Sequence, residues 1–142
     1  MANRSGRPQQ AAAIAFRRTG DTVQLCLIRR KDTQKRWGIP KGVIDPGDTP
    51  AETAMNESWE EAGLVARPVG DTIGTYKYDK WGKTLTVAVF LLEVLDEEDT
   101  WDEADVRERR WTSVDEALDL LAQHPVRPLL DRAIYLLAIK GR

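Results

Sequence analysis

The sequence predicts an α/β domain in which a mixed β-sheet is sandwiched by helices, and three observations predict it. Apolar runs of strand length, rich in branched residues, recur along the chain. One segment carries a complete helix start and stop. Strands and helices follow one another without the regular alternation of a parallel βαβ fold. At 142 residues the chain matches one ordinary domain, large enough to bury a core without disulfides or structural metal.

Residues 1–9 read as a flexible or loosely docked arm, ahead of a domain spanning 10–142. Ala11 to Arg17 and Thr22 to Arg30 form a strand pair around a turn at Gly20-Asp21. Trp37 to Gly47 is loop, punctuated by Gly38, Pro40, Gly42, Pro46 and Gly47. A helix then starts sharply, with Thr49 and Glu52 as a capping box, Pro50 in the first helical position and Gly63 as the stop. Thr72 to Tyr78 and Leu85 to Leu95 make a second strand pair, turning at Trp81-Gly82. After an acidic loop from Asp96 to Asp105 come a short strand, Arg107 to Thr112, and helices over Ser113 to Gln123 and Pro128 to Ile139.

Hydrophobic residues make up 42% of the chain and charged residues 31%, the balance of a soluble globular protein. No apolar run approaches the ~20 residues of a spanning helix. The polar start MANRSGRPQQ, followed only by AAAIAF, lacks the apolar middle of a secretory signal, so a cytoplasmic location is expected. Cys26, the only cysteine, sits in VQLCLI and reads as a small core residue, which excludes disulfides and cysteine-rich metal sites. Charge is distributed unevenly: residues 1–42 hold ten Lys or Arg against two Asp or Glu, the remainder eleven against twenty-one, giving +8 and −10. Folded into one domain, these parts can place cations that grip a polyanion beside carboxylates that hold a metal; scattered over solvated faces, they would do neither.

Advancing 100° per residue puts Ala51, Met55, Ser58 and Ala62 on the core side of the capped helix, flanked by Ala54 and Trp59. Glu57, Glu60 and Glu61 fall together on the other side, spaced three and four apart. They repel one another at a helix end that is already negative, and a bound cation would turn that repulsion into attraction. Three hard oxygen donors without sulfur or imidazole select magnesium or manganese. The plain alternative is a solvated acidic face.

The whole segment Gly42 to Leu64, GVIDPGDTPAETAMNESWEEAGL, resembles the signature of the Nudix hydrolases, in which a glycine opens a box closed by Arg-Glu-U-x-Glu-Glu-x-Gly-U, U being a bulky aliphatic residue. Gly42, Glu57, Glu60, Glu61, Gly63 and Leu64 match it; WGIPKG before the box and RRWTSVDEAL after it fit as well. The resemblance implies a Nudix-type α/β/α sandwich and a divalent-metal-dependent hydrolase of phosphoanhydride bonds. It implies metal ligation by Glu57, Glu60 and Glu61 with Gly42, and catalysis by the same glutamates, with Glu108 or Glu103 as further candidates for general base. Asp48, Asn56 and Ser58 replace the signature's Glu, Arg and aliphatic residue. Asp48 and Asn56 are expected to support the box, although Asn56 cannot supply an arginine's charge or fork. Ser58 is expected to bond back to the carbonyl four residues earlier.

Lys41, Arg29, Arg30, Lys35 and Arg36 are candidate phosphate contacts; Arg29 and Arg30, adjacent on a strand, should not both face the site. Trp37 and Tyr76 are candidates for stacking on a base and equally for ordinary packing. His124 reads as a surface or capping residue. RWGIPKG and FLLEVLDEEDTWDEADVRERRW look similar to the diphosphoinositol polyphosphate and diadenosine polyphosphate hydrolases, whose small polyanionic substrates suit the basic first part of the chain. Among nucleic acids, only an RNA 5′ end fits this reading. The alternative suggested by Asn56 is a Nudix-fold regulatory module that binds a nucleotide or polyphosphate without turning it over.

Overall fold

The computed structural model describes residues 7–32 and 36–140. Its elements in chain order are β1 (Gln10–Thr19), β2 (Thr22–Arg30), β3 (Lys41–Val43), α1 (Pro50–Ala62), β4 (Leu64–Pro68), β5 (Gly74–Lys80), β6 (Lys83–Glu97), β7 (Arg107–Ser113), α2 (Val114–Leu120) and α3 (Arg127–Lys140). The strands form one mixed sheet ordered β4-β6-β1-β2-β7, with β3 added to β1 and β5 to β6. β1 and β6 run parallel, Gln10 opposite Val87 and Phe16 opposite Glu93, and the other pairings are antiparallel.

A strand buried on both faces reads as an unbroken apolar run, and AAAIAF in β1 is such a run. Ala11, Ala13 and Ala15 face α1, where their small side chains let the helix approach, while Ala12, Ile14 and Phe16 face the layer of α2 and α3. Cys26 is buried with Ala15, Ile28, Ala62 and Leu64. The two helical layers on one mixed sheet are the expected α/β/α sandwich.

Two strands escape the sequence pattern. β3 has three residues and pairs with β1 through backbone alone, Ala12 opposite Lys41; its Gly-Pro surroundings read as loop. β4 follows Gly63 directly, and its run LVARP is short, with three apolar residues in a row before Arg67 and Pro68, so it lacks an alternating signal. The Trp81-Gly82 turn is as expected, with φ of 52° and 75°, the two positive values that a tight two-residue hairpin demands. α2 stops at Leu120, capped by Leu121 and short of Gln123; Pro125 follows shortly after and cannot continue a helix.

Of the proposed N-terminal arm, residues 1–6 lie outside the described residues, as does Lys35. Gln9 is docked: its N–H donates to the Thr86 carbonyl at 3.0 Å, and its carbonyl accepts from Ile44 at 3.0 Å. Among the described residues no helix is long and apolar enough to cross a membrane.

Gly63 ends α1 in the left-handed conformation, φ 69°, and a Cβ there would lie 2.9 Å from both Arg109 and Trp101 side-chain atoms. Gly63→Ala therefore combines backbone strain with a clash and should destabilise the fold by about 2–4 kcal/mol in urea unfolding; an unaltered midpoint would contradict this packing of the helix end.

Candidate functional site

Helix α1 is held at both ends. Thr49 N–H donates to Glu52 Oε1 at 2.8 Å and Glu52 N–H to Thr49 Oγ1 at 3.1 Å, completing the capping box. No basic residue lies in its last turn. Instead, Trp101 Nε1 donates to the Glu61 carbonyl at 3.0 Å and Arg109 Nη1 to the Ala62 carbonyl at 2.7 Å, so groups from outside the helix offset its negative end. Ser58 Oγ donates to the Ala54 carbonyl at 2.9 Å, the expected back-bond.

The helix faces differ from a simple wheel in one respect. Ala54, Ser58 and Ala62 are fully buried against the sheet, but Trp59 is 43% exposed whereas Glu61 is only 7% exposed. The reason is a second packing surface: α1 also lies against β3, and its flank Thr53, Glu57, Glu61 meets that strand. There Gly42 leaves room for the Glu57 carboxyl in its present position, since a Cβ would sit 2.3 Å from the carboxyl carbon and displace it.

Glu57 and Glu61 stand one turn apart on α1, so their carboxyl groups act on each other. Burial pushes Glu61 up to about 8; Arg107 opposes this, the neighbouring Glu57 adds to it, and the Lys41 N–H, donating to Glu61 Oε1 at 3.2 Å, opposes it. Burial also raises Glu57, with the charges of Glu60 and Glu103 adding to the effect. Glu60 is half-buried and acts on Glu57 through its charge. Among the described residues, no three acidic, His or Cys side chains stand as a ready-made metal site. The donor chemistry nevertheless fits a hard divalent cation: two adjoining carboxylates, one buried and one half-buried, ionise together at a cost that a proton or a positive ion offsets.

Arg107 carries the arrangement further, with Nη2 3.5 Å from Glu61 and Nε donating to Glu103 at 2.5 Å. The sequence reading missed it. Nothing local distinguishes Arg107 from Arg109 or Arg110, and only the β2–β7 register, which sets it opposite Arg30, brings it to the site. Of the candidate bases, Glu103 is thereby joined to the pair, whereas Glu108 is in an ion pair with Arg29. Asp48 and Asn56 are exposed and make no side-chain hydrogen bond to each other.

Beside the carboxylates lies a cleft of about 190 Å³ whose lining includes Arg29, Arg30, Arg36, Lys41, Arg107 and His124. Arg29 and Arg30 both reach it, against the strand-alternation expectation: β2 ends at Arg30, which turns back to Asp32 with contacts of 3.1 and 3.0 Å. The Arg29 guanidinium lies 4.5 Å from the Trp37 ring centroid, which makes Trp37 packing for a cation. A larger hollow of about 350 Å³ near Val23 and Ile134 contains none of the acidic helix.

A mixed sheet between two helical layers, with a glycine-opened loop leading into a glutamate-bearing helix, defines a Nudix-type hydrolase domain. The chain belongs to the Nudix family: the NUDIX domain model matches residues 7–133. It is 26% identical over 137 residues to Nudix hydrolase 21, chloroplastic, of Arabidopsis thaliana, covering 93% of this chain and 69% of that protein. It is 27% identical over 124 residues to human diphosphoinositol polyphosphate phosphohydrolase 2, covering 86% and 67%. The fold is similar to that of a C. elegans Ap4A hydrolase in a binary complex, with a TM-score of 0.78 at 22% identity over 91% of this chain and 96% of that one.

A carboxyl raised on folding binds a proton that the unfolded chain has released, so stability falls as pH rises from about 4.5 towards about 8. Glu61→Gln removes that cost. In metal-free buffer at pH 7.5 it should raise unfolding stability by about 1–2 kcal/mol, a gain that vanishes below pH 4.5; a loss at pH 7.5 would contradict the buried like-charge pair.

Proposed function

We propose that the chain is a divalent-metal-dependent hydrolase that cleaves a phosphoanhydride bond in a polyanionic substrate such as a dinucleoside polyphosphate or an inositol pyrophosphate. The observation that carries this is the Glu57–Glu61 pair, which Lys41 and Arg107 join to a cleft lined by four arginines and a lysine. Magnesium or manganese would be held by Glu57, Glu61 and Glu60, with Gly42 leaving room at the carboxylates, and would supply charge neutralisation and activation of water.

The chain's own groups do the rest. Arg29, Arg30, Arg36 and Lys41 bind and orient phosphate oxygens and stabilise the charge left on the departing phosphate. Arg107 orients Glu61 and Glu103 together, and Glu103 is the residue best placed to take a proton from the attacking water. In this arrangement Arg107, approaching from β7, provides next to the glutamates the positive charge that Asn56 lacks. That contact favours the hydrolase over a module that binds without turnover.

A panel of diadenosine polyphosphates, inositol pyrophosphates, ADP-ribose and nucleoside triphosphates, each with magnesium, manganese or EDTA, tests the proposal. Turnover should require metal, and Glu60→Gln or Glu61→Gln should lower kcat/KM by about a hundredfold or more without unfolding the protein. Tight metal-dependent binding with no turnover of any member would favour the binding module. Arg107→Met should lower kcat about tenfold with little change in KM; full activity in that variant would remove Arg107 from the positioning role.

A further inference from the structure

The loop between β6 and β7 belongs to a stretch with seven acidic residues from Asp96 to Asp105, and it lies against the C-terminal end of α1, which is itself negative and bears Glu60 and Glu61. Charge alone would drive such a loop away from such a helix end. Hydrogen bonds to successive carbonyls hold it there. The Glu103 N–H donates to the Glu60 carbonyl at 3.1 Å, Trp101 Nε1 to the Glu61 carbonyl at 3.0 Å, and the Glu98 N–H to the Gly63 carbonyl at 2.9 Å. Arg109 Nη1 donates to the intervening Ala62 carbonyl, so all four from Glu60 to Gly63 are engaged.

Trp101 is the side chain around which this docking is built. Its ring packs on Gly63, where a Cβ would lie 2.9 Å from Trp101 Cβ and 3.0 Å from its Cδ2, and the Arg109 guanidinium lies 4.3 Å from the ring centroid. Arg109 Nη2 also donates to the Glu98 carbonyl at 2.6 Å, which fixes the start of the loop beside the indole. Beyond Trp101 the backbone turns tightly. The Ala104 N–H donates to the Trp101 carbonyl at 3.0 Å, and the Val106 and Arg107 N–H groups donate to the Glu103 carbonyl at 3.0 and 2.9 Å. Glu103 therefore stands two residues from the indole in a segment without slack, and its carboxylate meets Arg107, whose guanidinium also reaches Glu61.

A helix C-terminus needs its carbonyls satisfied, and water or a basic side chain does that. An indole on a separate acidic loop does more: it ties that loop to the helix bearing Glu57 and Glu61 without itself adding charge beside them. We propose that Trp101 is a positioning residue for hydrolysis, its N–H fixing the loop on α1 so that Glu103 stands where it can take the proton of the attacking water. This rests on the hydrolase reading of the site and adds to it the residue that sets the place of the base.

Trp101→Phe keeps an aromatic ring against Gly63 and removes the N–H. On the substrate turned over fastest it should lower kcat about tenfold and leave KM within about twofold, because a displaced proton acceptor slows the chemical step more than it weakens binding. Glu103→Gln should lower kcat further, and adding Trp101→Phe to it should cost nothing more, since the indole acts through that carboxylate. A Trp101→Phe loss that persists undiminished in the Glu103→Gln background would overturn the proposal. Amide hydrogen exchange of the metal-free protein gives a reading independent of turnover. The Glu103 N–H should exchange about fivefold faster in Trp101→Phe, with the Ser58 N–H inside α1 unaltered. Equal acceleration of both, or none at Glu103, would reduce Trp101 to a helix cap and overturn the role. Wild-type protein that hydrolyses no phosphoanhydride would overturn the hydrolase reading and this role with it, whereas turnover that Trp101→Phe leaves unchanged would overturn the role alone.

Discussion

The structure depends on two carboxylic acids being forced together. Glu57 and Glu61 stand one turn apart on α1, Glu57 against the bare backbone of Gly42 and Glu61 buried beside the Lys41 N–H, where burial disfavours its charge. Much of the surrounding chain answers that constraint. Arg107 and the Lys41 N–H lean on Glu61 from two sides, Trp101 and Arg109 satisfy the carbonyls at the helix end, and the capping box fixes the other end. A helix so anchored cannot relieve the repulsion by rotating away, so the tension remains available to whatever cation arrives.

The sheet provides that anchoring. Alanines on one face of β1 let α1 sit close, while larger residues on the opposite face fill the core under α3. The parallel β1–β6 pairing and the addition of β3 to β1 set Gly42 beneath the helix, and the β2–β7 register carries Arg107 in from the far end of the chain. The uneven charge along the sequence becomes spatial here: Arg29, Arg30, Arg36 and Lys41 come from the basic first part, and Glu57, Glu61 and Glu103 from the acidic remainder.

Features encoded within a few residues were legible in the sequence: the capped helix, both hairpins, the adjacency of Glu57 and Glu61 one turn apart, and the Ser58 back-bond. Those created by pairing distant segments were not. β3 and β4 exist because β1 and β6 offer edges to them, and neither carries a periodic pattern of its own. Arg107 is one arginine among three until the register selects it. His124, expected as a surface or capping residue, does cap Val126, yet it is also a wall of a cavity, because its turn folds back against Tyr76 and Gly38. The helical wheel assigned Trp59 to the core flank because it assumed one packing surface where α1 has two.

A divalent cation held by Glu57 and Glu61 would have to displace the proton that burial favours on Glu61. Calorimetric titration of manganese at pH 7, repeated in buffers of different ionisation enthalpy, measures binding and proton release together. Saturable binding should release a substantial fraction of a proton, with both signals lost in Glu61→Gln. Saturable binding with no proton release, or binding that survives in Glu61→Gln, would contradict that displacement.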